Sequence, residues 1–283
     1  MPSVVVVKIG GEILLDDKQR SGFGLNIRDL GRNGWTVVVV HGGGPQTYDL
    51  QDKLGIPLKK VGGRRIVDGA TLDVTKQSLA GQLNVDIVAL LTRAGVSALG
   101  VAGVSAGLVR ARKQPPQLVA GAGDRPIDFG LVGDVESVDS GLVTRLLELG
   151  VVPVIAALGA DEQGQVFDVS ADAVAASLAA SLAAEALLLI SPTGGIRREI
   201  EHADTRITRM TASEAQQAIA SSAITGGMIP KVEEGLRALA AGVHSILITD
   251  VAEPGALCQA LAQPGTVGTW IVAAGPDVVE KKD

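Results

Sequence analysis

Short aliphatic runs recur along the chain at residues 4–7, 37–40, 98–101, 151–155, 187–190, 246–249 and 268–272. They are apolar at successive positions, not at alternate ones, which is the pattern of strands covered on both faces. Longer segments with helical spacing lie between them, over 44–54, 70–93, 140–148, 171–184, 212–220 and 231–241. Strand and helix therefore alternate, and the fold class is α/β: an open, mostly parallel sheet sandwiched between helices. Ligands of such sheets bind beyond the carboxyl ends of the strands, so the residues that follow each run carry the functional question. Two stretches break the alternation. Residues 114–126, with Pro115, Pro116, Gly121, Gly123 and Pro126, read as a loop or hairpin beside the sheet, and residues 191–207 read as an exposed connection. The βα pattern restarts near residue 184, which divides the chain into lobes 1–184 and 185–283.

Composition narrows the function classes. Of 283 residues, 46% are apolar and 20% charged, against roughly 25% charged in an ordinary globular protein, which gives a large core and excludes disorder and coiled coil. Lysine and arginine number 25 against 31 acidic residues, a net charge of −6, and only 2% of residues are aromatic. A basic surface and stacking platforms are thus missing, which argues against nucleic acid as a partner. The longest apolar stretch, 173–190, contains Ser177, Ser181 and Glu185 and divides into an Ala-rich helix and a Leu-rich strand, so no membrane partner is expected. Met1-Pro2-Ser3 enters the first strand without a basic leader, and Cys258 is the sole cysteine. Both features point to the cytoplasm.

Five motifs follow the apolar runs. In the first, Val7-Lys8-Ile9-Gly10-Gly11, a lysine and two glycines close a strand. Such glycines let a backbone approach a ligand and direct N–H groups at an anion. The second, His41-Gly42-Gly43-Gly44-Pro45, places bare amides at a helix amino terminus, where the dipole favours negative charge. It matches neither the phosphate loop of P-loop proteins nor the dinucleotide fingerprint. His41 reads better as a hydrogen-bonded strand-end histidine than as a base. The third, Gly62-Gly63-Arg64-Arg65, offers guanidinium forks suited to a carboxylate, although a solvated surface pair has the same signature. In the fourth, Asp168-Val169-Ser170-Ala171-Asp172, Ser170 or Asp172 caps the helix that follows, or an acid there orients lysines. The fifth, Thr225-Gly226-Gly227-Met228-Ile229-Pro230-Lys231, sets a cation in a first helical turn, an unfavourable place unless an anion sits there.

In this order the motifs resemble those of the acetylglutamate kinases of the amino-acid kinase family, as do Gly63-Arg64-Arg65-Ile66-Val67-Asp68 and Ala80-Gly81-Gln82-Leu83-Asn84. The resemblance covers nearly the whole chain. It implies transfer of phosphate from ATP, accompanied by Mg²⁺, to the γ-carboxylate of N-acetyl-L-glutamate on the route to ornithine and arginine. It also implies an amino-terminal lobe for the acceptor and for dimerisation, and a carboxyl-terminal lobe for the nucleotide. Carried over, Lys8 and Lys231 flank the phosphoryl group in flight and Asp172 holds both lysines. Gly10, Gly11, Gly43 and Gly44 offer amides to the phosphates and the reacting carboxylate, and Gly195 lies in the nucleotide site with Lys231. Arg65 grips the acceptor's α-carboxylate, and the chain's own residues supply no metal ligand.

Two positions depart from the family. Asp168 stands where these kinases carry an asparagine that touches the acceptor, and Pro192 stands where their nucleotide lobe carries an aspartate. A carboxylate about 4 Å from another repels it by roughly 1 kcal/mol in water and about 4 kcal/mol at an effective dielectric of 20. Other acceptors therefore stand beside acetylglutamate: carrier-bound glutamate or aminoadipate, or an acidic amino acid with a free amine. A non-catalytic metabolite sensor is the remaining reading, and the retention of Lys8, Asp172 and Lys231 speaks against it. Three residues precede Val4, where arginine-inhibited relatives have an additional helix, and Gln259 stands near where they place a glutamate. A homodimer paired through the long helix after Asp68, and insensitive to arginine, is the expectation.

Overall fold

Alternate residues of each apolar run face opposite ways, and each face meets its own layer of helices. The computed structural model describes residues 3–119, 121, 123–199 and 202–273. Met1, Pro2 and residues 274–283, the entry to the first strand and the end of the second lobe, lie outside the described residues. The principal sheet contains β1 (Val4–Ile9), β2 (Thr36–His41), β5 (Ala98–Ala102), β8 (Val152–Ala156), β11 (Ala186–Ile190), β12 (Arg209–Thr211), β13 (Ser245–Thr249) and β14 (Thr269–Val272). Their spatial order is β12-β14-β13-β11-β1-β2-β8-β5, and every neighbouring pair is parallel except β13 with β14. Against one face pack α1 (Asp17–Arg32), α4 (Asn84–Arg93) and α9 (Ala256–Ala262), with Val5, Val7 and Ile9 beneath them. On the other face lie α5 (Ser140–Glu148), α6 (Ala171–Ser181), α7 (Ala212–Ala220) and α8 (Met228–Ala240), over Val6, Val38 and Val40. This is the open α/β sandwich expected. The cut between residues 184 and 185 falls between the adjacent strands β1 and β11, and both cores run across it.

The helix expected over 70–93 is continuous but not uniform. α3 (Gly69–Lys76) passes through a π-helical segment, Gln77–Leu83, into α4. Leu79 and Leu83 of that segment reach the loop after β2, and a Cβ on Gly43 would fall 2.5 Å from Leu79 Cδ2. α2 (Gly44–Lys53) starts from the same loop with Gly43 as its N-cap.

Three features escape the hydrophobic pattern. Helix α1 carries glycines at 22, 24 and 31, which depress helix propensity. Gly22 is required there because a Cβ would fall 1.9 Å from Val251 O. β6 (Val109–Lys113), β7 (Val132–Val138), β9 (Leu158–Ala160) and β10 (Val166–Val169) close into a small barrel beside the sheet. Its strands are short and half-polar, so they lack the doubly covered signature. The arginine pair lies in a hairpin, β3 (Lys60–Val61) and β4 (Arg64–Arg65), whose turn residues Gly62 and Gly63 have φ of 54° and 78°. Two consecutive positive φ angles define a tight hairpin turn that glycine enters without strain. Residues 117 and 127 pair through both backbone hydrogen bonds, so the stretch read as a loop or hairpin has an antiparallel base. No helix among the described residues is long and apolar enough to cross a membrane.

One buried side chain ties distant segments. Asn26 of α1, with no exposed surface, donates to Gly22 O and Glu253 O and accepts from the Leu257 N–H at 2.9 Å. Asn26→Ala strands the Leu257 donor and the Glu253 acceptor, and is expected to lower stability by about 2–4 kcal/mol. Urea denaturation tests this; a loss below about 1 kcal/mol would mean that water replaces these bonds.

Candidate active site

Strand pairing decides where Lys8 points. In β1 the period of two puts Lys8 in phase with Val4 and Val6, on the face covered by α6 and α8. β11 and β2 flank it on either side, with Leu189 and Val40 as register partners, so its ammonium emerges at the centre of the carboxyl edge. Asp172 comes from the first turn of α6. Ser170 caps that helix through the Ala173 N–H, which leaves the Asp172 carboxylate free for other partners. Lys231 is the fourth residue of α8, whose N-cap, Gly227, contributes no side-chain bond.

The three side chains meet on one atom. Lys8 Nζ lies 3.1 Å and Lys231 Nζ 3.4 Å from Asp172 Oδ1, with the lysine side chains 8% and 9% exposed. Burial alone would raise the pKa of Asp172, but the ammonium groups of Lys8 and Lys231 outweigh it and hold the carboxylate below its ordinary range. Lys231 is pushed down to about 8, by burial first and by the charge of Lys8 second. Both lysines face the cleft, with Asp172 and Glu12 as the carboxylates beside them.

That cleft, about 480 Å³, is lined by Lys8, Glu12, Asp172 and Lys231 at its inner end. Its outer walls come from Ser191 to Arg197 after β11 and from Ala223 to Met228 before α8; the apolar side chains are Ile196, Ile224 and Met228, and Gly195 is part of the wall. Beside it, the two glycine loops touch: a Cβ on Gly11 would fall 2.0 Å from Gln46 Oε1 and 3.0 Å from Gly43 Cα. The Glu12 carboxylate folds back over Gly10. Sequence reasoning did not single out Glu12, Ile196 or Ile224, since one acid in a turn and two isoleucines in loops carry no signature without the fold. At the departure marked by Pro192, Ser191 Oγ and Thr193 Oγ1 bond to each other at 3.1 Å, and the Asp250 carboxylate lies against Gly194.

Arg65 and Asp168 form a second group. Arg65 Nη2 donates to Asp168 Oδ2, with side chains 11% and 20% exposed, and Arg65 Nη1 is buried without a hydrogen-bond partner. Burial raises the pKa of Asp168, and the Arg65 charge opposes it. The partner of Asp168 is thus Arg65 and not Arg64 or Lys60. Neighbours on a strand point to opposite faces. Arg64 turns to Gln114, Gln117 and the ring of Phe129, while Lys60 stacks on Tyr48 at 4.3 Å. Because Asp168 and Asp172 lie four residues apart around the start of α6, the ion pair and the lysine cluster flank one helix terminus. His41 is structural, as its position suggests: Nδ1 donates to Gly42 O, Nε2 accepts from Asn84, and burial depresses its pKa to about 4.

The sequence matches the amino acid kinase family over residues 3–250. This chain belongs to that family. It is 43% identical over 268 residues to the acetylglutamate kinase of Sorangium cellulosum, covering 95% of this chain and 94% of the other. Among solved structures, smu.665 from Streptococcus mutans superposes with a TM-score of 0.77 at 27% identity, over 97% of this chain and all of that one. A carbamate kinase of Giardia shares the fold at a TM-score of 0.69, 14% identity and 96% coverage of this chain, 99% of that one.

In this amino acid kinase, a bound polyphosphate favours protonated Lys231 and raises its pKa above the free value of about 8. Affinity for ATP is therefore expected to be flat below pH 8 and to fall above it, by up to about tenfold per pH unit until the pKa of the complex is reached. Lys231→Arg keeps its charge and should flatten that limb. Calorimetric titration from pH 6.5 to about 9.5 checks it, and a flat wild-type profile would refute it.

Proposed function

We propose that this protein is an ATP-dependent kinase that phosphorylates the side-chain carboxylate of N-acetyl-L-glutamate, the activating step on the route to ornithine and arginine. The observation that carries the reading is the convergence of Lys8 and Lys231 on Asp172 in the lining of the cleft. The extent of the similarity to an acetylglutamate kinase supports it. Phosphoryl transfer to a carboxylate needs no general base, because the nucleophile is already ionised. Catalysis then consists of alignment and charge neutralisation. An oxygen of the acceptor carboxylate attacks the γ-phosphorus, the bond to the ADP oxygen breaks, and the product is an acyl phosphate. Lys8 and Lys231 neutralise charge on the transferring group, while Asp172 fixes both lysines and cannot itself contact an anion favourably.

The remaining roles are those the resemblance to acetylglutamate kinases implies. The amides of Gly10 and Gly11 face the phosphates, those of Gly43 and Gly44 the reacting carboxylate, and Gly195 with Ile196, Ile224 and Met228 the nucleotide. Arg65, through Nη1, takes the acceptor's α-carboxylate. Residues 1–184 form the acceptor lobe and 185–283 the nucleotide lobe. Magnesium arrives with ATP, carried on its phosphates. The protein acts as a cytoplasmic homodimer paired through the helix 69–93. Val85 on that helix and Leu99 on the neighbouring edge strand β5 are 62% and 45% exposed, apolar surface that pairing would cover.

Lys8→Ala and Lys231→Ala are each expected to cut turnover by at least about two orders of magnitude with the fold intact, and near-native turnover in either would sink the mechanism. Arg65→Ala acts on a group remote from the reacting centre and should raise the acceptor KM more than it lowers kcat, as steady-state kinetics will show. Light scattering should give the mass of a dimer.

A further inference from the structure

We propose that the acceptor site also takes the unacylated amino acid, glutamate with a free α-ammonium group, and that Asp168 is the residue that recognises this ammonium. The proposal rests on the reading of Arg65 as the grip for an α-carboxylate. It comes from what the Arg65–Asp168 pair leaves unused. Arg65 spends Nη2 on Asp168 Oδ2, and its Nη1 is buried with no partner. Asp168 Oδ1 makes no hydrogen bond among the described residues, and the side chain retains 20% exposure. The pair thus leaves one buried guanidinium nitrogen and one carboxylate oxygen without hydrogen-bond partners. Their complement is a head group with a carboxylate and a charged N–H donor on neighbouring atoms, which is the α-carbon of a free amino acid.

Charge balance points the same way. A neutral amide at position 168 would leave the Arg65 charge uncompensated and suit an acceptor whose only charged groups are two carboxylates. With a carboxylate there, the pair is neutral, and a zwitterionic head group adds no net charge to a confined site. An acylated nitrogen offers only an uncharged amide N–H, which cannot balance the Asp168 carboxylate as an ammonium does.

The reaction with glutamate has a signature that acetylglutamate lacks. The γ-carboxylate oxygen attacks the γ-phosphorus and ADP leaves, giving γ-glutamyl phosphate. Once its ammonium has lost a proton to solvent, the amine attacks the acyl carbon, the C–O bond to phosphate breaks, and 5-oxoproline and inorganic phosphate are released. Acetylation removes that nucleophile.

The test uses the full chain with Mg·ATP and either acceptor, following ADP, with and without hydroxylamine. Wild-type protein should form γ-glutamyl hydroxamate from glutamate in the presence of hydroxylamine, and 5-oxoproline with phosphate in equal amounts to ADP in its absence. Asp168→Asn is expected to lower kcat/KM for glutamate by about tenfold or more and to raise that for acetylglutamate by up to about tenfold. Wild-type activity on acetylglutamate with none on glutamate would overturn the proposal and leave the kinase reading standing. So would a variant that shifts both acceptors in the same direction. Absence of turnover with either acceptor would overturn both readings.

Discussion

Two ammonium groups held against one carboxylate oxygen constrain most of this structure. At about 5 Å and an effective dielectric of 20, two like charges repel by roughly 3 kcal/mol. Lys8 and Lys231 are both buried, so their proximity is stable only with Asp172 between them. That requirement reaches outward. Asp172 must not be spent on capping α6, and Ser170 does that instead. Lys8 must project from a strand fixed on both edges, and β1 sits between β2 and β11 in the middle of the sheet. Lys231 must tolerate the amino end of α8, where the helix dipole opposes a cation, and burial beside Lys8, which depresses its pKa.

The parts of the fold that were legible in the sequence are those where one physical signal dominates. Strands buried on both faces announce themselves by unbroken β-branched runs, and all seven such runs are strands of the principal sheet. α1 was not legible, because Gly22 is selected for its contact with Val251 O and not for helix formation. β6 alternates apolar and polar residues over only five positions, and β7 carries its valines three apart, at 132, 135 and 138, so neither shows a sustained strand signature. The third strand from the sheet edge, β13, was visible, but its antiparallel pairing with β14 was not, since direction leaves no trace in composition.

The site divides in the same manner. Lys231 stood out because a cation in a first helical turn is locally unfavourable, the roles of Lys8, Asp172 and Gly195 came from the family resemblance, and the structure brings all four to one cleft. The arginine pair was ambiguous for a good reason. Arg64 and Arg65 have the same local sequence environment, and only the hairpin sets one outward against Gln114 and Gln117 and the other inward against Asp168. The partner of Asp168 depended on a contact between residues 103 positions apart, which spacing does not encode.

The lysine cluster is also a joint. Lys8 and Asp172 belong to the amino-terminal two thirds of the chain, Lys231 to the remainder, and the contact between the two parts is the longer of the pair, 3.4 Å against 3.1 Å. A triphosphate seated in the cleft would touch residues after β11, residues before α8, and Lys8 at once. Its negative charge would draw Lys8 and Lys231 toward a common centre and relieve the repulsion that Asp172 and Glu12 offset. On the proposed mechanism, the cations that neutralise charge in flight are the ones that a bound ligand relieves of mutual repulsion. Nucleotide binding and alignment of the reacting groups become a single electrostatic event, centred on Asp172.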